Sequence, residues 1–241
     1  MLIRLNKYLA QAGVASRREV DRMIAEGKIK VNGQIIQTLG HKIDDEKDRV
    51  EVGGKTIERE EETVYLILNK PPGYLVTLKD PYKRPTVKEL LPSLKQRIFP
   101  VGRLDYDTEG LLLLTNDGEL AHRLAHPRYK VTKTYLVEVL GVPDSSKISR
   151  LEKGIFLEGK KTAPARIARL RGSSKKTLLR VEIYEGRKRE VKRMFEAIGY
   201  RVIRLKRVGF GSVRLGTLKA GNWRFLTQRE VKDLKSKVKI E

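Results

Sequence analysis

Residues 100–118 are Pro-Val-Gly-Arg-Leu-Asp-Tyr-Asp-Thr-Glu-Gly-Leu-Leu-Leu-Leu-Thr-Asn-Asp-Gly, a polar loop followed directly by a strongly apolar segment. Four consecutive leucines between Gly110 and an Asn-Asp-Gly turn signal are typical of a buried strand. Loops that precede a buried strand often carry functional side chains. Asp105 is the first acid of this loop, and its spacing leaves two interpretations open, a reactive carboxylate or the cap of a turn.

Segments with strand patterns lie on both sides of this stretch. They cover residues 64–70, 134–139, 163–170, 178–184, 202–208, 214–215 and 223–226. Helical spacing is found at 119–125, at 144–153 with Ser145 or Ser146 as the cap, at 191–198, and at 229–238 behind Thr227. Because strands outnumber helices and do not alternate with them regularly, we predict an α+β domain, built on a mixed, mainly antiparallel sheet flanked by helices.

The first 60 residues have a different organisation. Leu5, Tyr8 and Leu9 have helical spacing, and Ser16 caps a second helix that ends at Gly27. Two short hairpins follow, the first around an Asn-Gly turn. An acidic cluster at 58–62 suggests a linker, so we predict a small helix-rich domain at 1–60 and a larger domain at 61–241.

The composition points to a polyanionic partner. The chain of 241 residues carries 52 Lys and Arg against 30 Asp and Glu, a formal net charge of +22. Nucleic acid fits this charge better than a membrane surface does, because no basic amphipathic segment stands apart from the folded pattern. The absence of Cys and the presence of only three His disfavour a metal site and exclude a thiolate nucleophile, and we expect no cofactor. The N-terminal segment lacks the apolar core of a signal peptide, and no apolar run is long enough to span a bilayer, so we expect a cytoplasmic protein.

Two further segments carry groups suited to chemistry on RNA. Residues 184–194 contain five cations, which are Arg187, Lys188, Arg189, Lys192 and Arg193. These cations form either a solvated basic face, or a set of phosphate contacts with one member turned inward toward a carboxylate. Tyr135, in the alternating run 133–137, is either a core aromatic or a ring on which a flipped base stacks.

The three segments, in this order, resemble the RsuA/RluB group of pseudouridine synthases, and the resemblance covers almost the whole chain. The run from Gly102 to Gly118 is similar to the active-site motif of that group. Residues 1–60 resemble the S-four type RNA-binding domain, whose recurring marks are the helix start at 16–18 and the hairpin at 31–33. The resemblance implies an enzyme that converts specific uridines of ribosomal RNA into pseudouridine.

The resemblance also implies roles for individual residues. Asp105 matches the catalytic aspartate, Tyr135 the tyrosine that stacks on the base and can act as general base, and Lys192 the cation that pairs with the aspartate. Leu205 matches the apolar residue that packs under the site. We assign contacts with the substrate RNA to a set of cations, which are Arg17, Arg18, Lys30, Arg103, Arg187, Arg189 and Arg193. Glu190 departs from the group, whose members usually carry Gln there, and we assign it no function.

Several alternatives remain open on sequence alone. One carboxylate, one cation and an aromatic wall suit a reaction from which water must be kept away, yet Asp107 and Glu109 do not exclude a hydrolytic carboxylate pair. A non-catalytic RNA-binding protein of ribosome assembly would leave Asp105 exposed and dispensable. A methyltransferase is disfavoured because no Gly-rich cofactor loop follows a strand. We expect large-subunit ribosomal RNA as substrate, with small-subunit RNA as the alternative, and a monomer without an obligate protein partner.

Overall fold

The computed structural model describes residues 2–58 and 62–240, and these residues form two compact units. The first unit contains the chain up to residue 64 together with residues 94–98 and 116–118, and the second contains the remainder. Glu60 and Glu61, at the centre of the predicted acidic linker, lie outside the described residues, as does the predicted boundary between them. Among the described residues, no helix combines the length and the apolarity needed to cross a membrane.

The first unit packs two helices against short strands. Its elements in chain order are β1 (Leu2–Arg4), α1 (Leu5–Gln11), α2 (Arg17–Ala25), β2 (Ile29–Val31), β3 (Gln34–Ile35), β4 (Lys42–Asp44), β5 (Val50–Val52) and β6 (Lys55–Thr56). The antiparallel sheet has the strand order β3-β2-β5-β6, and β1 pairs with β4. The Ser16 hydroxyl accepts a hydrogen bond from the N–H of Glu19 at 3.3 Å, which is the predicted cap of α2. Leu5, Leu9 and Ile24 are buried between the helices and the sheet.

The second unit is built on a large sheet. Its strands are β7 (Tyr65–Lys70), β8 (Phe99–Pro100), β9 (Glu109–Thr115), β10 (Lys133–Leu140), β11 (Phe156–Leu157), β12 (Lys160–Lys161), β13 (Arg166–Gly172), β14 (Lys176–Ile183), β15 (Val202–Phe210), β16 (Val213–Arg214) and β17 (Trp223–Phe225). Its helices are α3 (Gly118–Ala125), α4 (Ser145–Glu152), α5 (Glu190–Glu196) and α6 (Gln228–Lys237), and short 3₁₀ turns cover Val87–Leu90 and Pro127–Tyr129.

The strands of this sheet follow the order β13-β14-β10-β15-β9-β7-β17. Neighbouring strands pair antiparallel except β9 and β15, which run parallel where Glu109 faces Lys206 and Gly110 faces Arg207. One face is covered by α3 and α6, whose Leu120, Leu124 and Leu234 pack in a single core with Leu111 and Leu113 of β9. The prediction of an α+β protein on a mixed, mainly antiparallel sheet is confirmed.

Two local predictions are wrong. The strand expected at 163–170 begins only at Arg166, because Pro164 has no N–H to donate to a strand ladder. The N-cap of α4 is Asp144, whereas Ser145 and Ser146 lie inside the first turn. Pro143 precedes this cap and restricts the backbone before the helix, which accounts for the shift by one residue.

The backbones of β9 and β15 approach each other closely at Gly110. Its φ is +108°, and a Cβ atom there would lie 2.2 Å from the carbonyl oxygen of Arg207. Backbone atoms cannot give way as a flexible side chain can, so the parallel pairing requires glycine at this position. The strand that follows residues 101–108 is thereby fixed against β15.

We predict that Gly110→Ala lowers the free energy of unfolding by about 3 kcal/mol, because the backbone clash separates β9 from β15. Gly102→Ala is the matched control, since Gly102 has φ +72° but nothing within 4 Å of a Cβ atom. Gly102→Ala should lower the free energy of unfolding by only about 1 kcal/mol, which is the cost of placing an alanine in the left-handed backbone conformation. Urea unfolding of both variants measures the difference, and equal losses would contradict a special role for the close approach.

Candidate active site

The Asp105 loop, defined as residues 101–108, connects β8 to β9. Leu104 and Thr108 are buried, whereas Asp105 is partly exposed between them. The N–H of Thr108 donates to the carbonyl oxygen of Asp105 at 3.1 Å, and the N–H of Gly73 donates to that of Tyr106 at 2.8 Å. Two buried anchors and these backbone bonds hold the Asp105 carboxyl group at the rim of a cavity.

Lys70, at the end of β7, is fully buried beneath this loop. Its ammonium group donates to the carbonyl oxygens of Pro71 at 2.9 Å, Tyr106 at 3.2 Å and Thr108 at 2.8 Å. Burial lowers the pKa of Lys70 to about 8, although the nearby carboxylates of Asp107 and Asp105 favour its charged form. A cation is therefore fixed under the acidic loop and determines its path.

The register of the sheet places the predicted apolar and aromatic residues side by side. Tyr135 on β10 lies directly opposite Arg207 on β15. Two residues further along each strand, Val137 lies opposite Leu205. Tyr135 is 8% exposed, Leu205 5% and Arg207 2%. Opposed residues of paired strands point to the same face, so one wall presents a ring, a leucine and a guanidinium group.

Lys192 does not make the predicted ion pair. Its ammonium group lies 2.6 Å from a carboxylate oxygen of Asp107, two residues beyond Asp105. Partial burial opposes the ionisation of Asp107, but the bond to Lys192 outweighs it and lowers the pKa of Asp107. The expectation that Lys192 pairs with Asp105 is corrected, because the bend of the loop brings the later acid to α5.

The basic residues of 184–194 fall into two groups. Arg189 is exposed at the start of α5, with its nearest acid, Glu196, at 3.9 Å. Arg187 instead donates to the carbonyl oxygens of Lys160 and Lys161 and pairs with Glu185. Arg193 pairs with Glu158 at 2.9 Å. Arg187 and Arg193 are thus engaged in close contacts within the protein, whereas Arg189 is exposed and makes only the long ion pair with Glu196.

The remaining predicted RNA contacts are surface cations. Arg103 is exposed beside Asp105. In the first unit, Arg17, Arg18 and Lys30 are exposed, and Arg17 donates to the Asn6 side chain at 3.4 Å. Their positions suit contacts with a polyanion.

A cavity of about 660 Å³ lies between the Asp105 loop, β10, β15 and the turn before α5. Its volume is within the roughly 300–1,000 Å³ typical of small-ligand sites. Among the predicted residues, its lining includes Asp105, Tyr135, Leu205, Arg103, Arg187 and Arg189. Lys192 and Arg193 are not among the described residues that line it.

Ionisable side chains form one side of this cavity. Burial, and then the charge of Arg207, lower the pKa of Lys133 to about 8, and its ammonium group donates to the carbonyl oxygens of Tyr184 and Glu185. Burial and a hydrogen bond with Glu185 raise the pKa of Glu190 to about 8. The protonated form of Glu190 is therefore favoured, and its carboxyl group also accepts a hydrogen bond from the N–H of Arg187 at 3.0 Å.

Sequence reasoning missed Lys70, Lys133, Glu190 and Arg207 as parts of the site. Lys70 ends an otherwise apolar strand just before Pro71, and a charged residue at a buried strand position is a signal that could have been used. Arg207 likewise follows Leu205 by two residues, which places it on the inward face of its strand.

We predict that Lys70→Met lowers the free energy of unfolding by about 2 kcal/mol, because three carbonyl groups lose their donor. Amide hydrogen exchange should become faster at Gly73 and Thr108, whose N–H groups bond within the region that Lys70 holds. Lys232→Met, at an exposed position of α6, is the control. Unchanged exchange at both amides would show that Lys70 does not fix the loop.

We predict that Glu190→Gln changes the pH dependence of stability. The pKa of Glu190 in the folded protein, about 8, exceeds its ordinary value of 4.5. The stability contributed by this group is therefore fully present below the unfolded pKa and is lost as pH rises through the folded pKa. The glutamine variant cannot titrate, so its melting temperature should rise relative to the wild type between about pH 5 and about pH 9. Glu196→Gln, exposed on the same helix, is the control. If the melting temperatures of the wild type and of Glu190→Gln changed with pH in the same way, the raised pKa of Glu190 would be contradicted.

Comparison with known proteins accounts for both units. Residues 64–197 match the family described as RNA pseudouridylate synthase, and residues 3–50 match the S4 domain. An uncharacterized RNA pseudouridine synthase of Aquifex aeolicus is 48% identical over 235 residues, which are 97% of this chain and 94% of that protein. Ribosomal large subunit pseudouridine synthase B of Bacillus subtilis is also 48% identical over 235 residues, covering 97% of this chain and 96% of its own.

A solved structure supports the same relation. A pseudouridylate synthase crystal structure superposes with a TM-score of 0.69 at 33% identity, over 96% of this chain and 99% of that one. The family match over residues 64–197 includes the Asp105 loop, β10 and α5, each of which contributes residues to the lining of the cavity. The family expectation is confirmed, and the chain belongs to the RNA pseudouridylate synthase family, with an S4 domain at residues 3–50.

Proposed function

We propose that this enzyme converts uridines of large-subunit ribosomal RNA into pseudouridine, with Asp105 as the catalytic carboxylate. The observation that carries the proposal is the cavity in which Asp105 meets the wall formed by Tyr135 and Leu205. The large-subunit substrate is supported by the Bacillus subtilis relative, whose name specifies the ribosomal large subunit. The division into domains at 1–60 and 61–241 remains part of the proposal.

The geometry suits a flipped nucleotide. A uridine inside folded RNA must leave its stack before an enzyme can act on it. The base stacks on Tyr135 with Leu205 beside it, and its ribose faces Asp105. The C1′–N1 bond breaks and its electron pair stays with the base, C1′ bonds to C5 after the base has turned, and the proton of C5 is lost while N1 gains one.

The contacts of the other acids favour a single reactive carboxylate. Asp107 is held by Lys192 at 2.6 Å, and Glu109 forms a bidentate pair with Arg204. Most glycoside hydrolases use two carboxyl groups that flank the glycosidic bond. Neither neighbour of Asp105 is available in this way, so isomerisation agrees better with the site than hydrolysis does.

Exposed cations supply the affinity for RNA. Arg103, Lys188 and Arg189 line the mouth of the cavity, where the phosphates next to a flipped nucleotide pass. We propose that Arg17, Arg18 and Lys30 of the S4 domain contact the same RNA. The predictions of a monomer and of a cytoplasmic enzyme accompany this proposal, the second because ribosomal RNA is its substrate.

We predict that Asp105→Asn abolishes pseudouridine formation, a loss of at least about 10³-fold, while RNA affinity changes less than about threefold. Asp107→Asn is the matched control in the same loop and should retain most of its turnover. The measurement is chemical mapping of pseudouridines in ribosomal RNA from cells that lack the protein and are complemented with each variant.

The outcomes separate the alternatives. A site in large-subunit RNA that appears with wild type and with Asp107→Asn, but not with Asp105→Asn, supports the proposal. A site in small-subunit RNA would correct the substrate. Full restoration by Asp105→Asn would show that another group carries the reaction.

A further inference from the structure

Arg207 is buried in the wall of the cavity without full hydrogen bonding. Its Nε–H donates to the carbonyl oxygen of Leu111 at 2.7 Å, which fixes the guanidinium plane. Its Nη2 atom is buried and has no hydrogen-bond partner among the described residues. A buried charged donor without an acceptor is costly, so such a group in a native protein needs an explanation, and a role in binding or catalysis is one.

The position of Arg207 identifies which part of a ligand it can meet. It is the direct cross-strand neighbour of Tyr135, so both side chains leave the sheet on the same face, and both line the cavity. At 2% exposure it lies deep in the wall, whereas the cations suited to phosphate, Arg103 and Arg189, are exposed at the mouth. A planar base stacked on Tyr135 therefore turns an edge, and not the sugar-phosphate backbone, toward Arg207.

The charge around Arg207 is positive. Lys133 lies close enough for the Arg207 charge to lower its pKa, and both residues line the cavity. Of the two acids whose charges act on Lys133, Glu185 is bonded to Arg187 and to the N–H of Ala163, and burial raises the pKa of Glu190 to about 8. The side of the cavity next to the base can therefore accept negative charge.

We propose that Nη2 of Arg207 donates a hydrogen bond to a carbonyl oxygen of the flipped uracil, and that this bond strengthens as the base departs. The inference rests on the proposed function of the cavity. When the C1′–N1 bond breaks, the electron pair retained by the base is delocalised onto its two carbonyl oxygens. A preorganised cation at one of these oxygens stabilises that charge more than it stabilises the neutral substrate. Arg207 is then a base-contacting residue that acts on kcat more than on KM.

The test uses sulfur as a weaker acceptor. Three copies of one ribosomal RNA fragment, with uridine, 2-thiouridine or 4-thiouridine at the target, are compared in single-turnover pseudouridine formation. With the wild-type enzyme, one of the two thio substrates should react about tenfold more slowly than uridine, and the other should differ less.

The Arg207→Met variant completes a double-mutant cycle. It should react about 100-fold more slowly with uridine, and the sensitive thio substitution should cause no further loss, because the contact is already absent. Lys206→Met is the matched control, one residue away on the opposite face of β15, and it should retain the full thio effect. If Arg207→Met does not fold, Arg207→Lys replaces it and should show a reduced thio effect.

Three results would overturn the inference. They are a wild-type enzyme indifferent to both thio substitutions, an Arg207 variant that keeps the full tenfold effect, and a loss of RNA affinity with unchanged turnover, which is the behaviour of a phosphate contact. Failure of the proposed function is distinguishable, because the wild-type enzyme would then form no pseudouridine in the unmodified fragment.

Discussion

The buried ammonium group of Lys70 is the constraint on which the site depends. From the end of β7 it donates hydrogen bonds to the carbonyl oxygens of Tyr106 and Thr108, two residues that follow Asp105 in the loop. Without a donor at this point, the loop that carries Asp105 and Asp107 would have unpaired carbonyl groups beneath it. The close approach at Gly110 then continues the same loop into a strand that is held parallel to β15.

The electrostatics of the cavity follow from burial. Lys70 and Lys133 have their pKa values lowered to about 8, and Glu190 has its pKa raised to about 8. Burial is the largest cause of each pKa shift, because the exclusion of water disfavours the charged form of an ionisable group. Arg207 cannot give up its proton and stays cationic. Lys133 and Arg207 supply a positive wall to the cavity, while Asp105 remains at its partly exposed rim beside the bound ribose in our proposal.

Much of the fold could be predicted from local pattern. The leucine run of β9, the capping groups of α2 and α6, and the alternation of β10 and β15 each depend on neighbouring residues in the chain. Contacts that depend on the path of a loop could not be predicted in this way. Lys192 was assigned to Asp105, but the loop brings Asp107 to it instead. The pairing of Tyr135 with Arg207 depends on strand register, which a single sequence does not specify.

The most direct test of the account is the structure of the Asp105→Asn variant bound to an unmodified fragment of ribosomal RNA. We predict one uridine flipped into the cavity, its base stacked on Tyr135, with the substituted amide side chain of the variant within about 3.5 Å of its C1′ atom. Nη2 of Arg207 should lie at hydrogen-bond distance from a carbonyl oxygen of that base. A flipped nucleotide whose C1′ atom faces Asp107, or RNA bound with no nucleotide in the cavity, would contradict it.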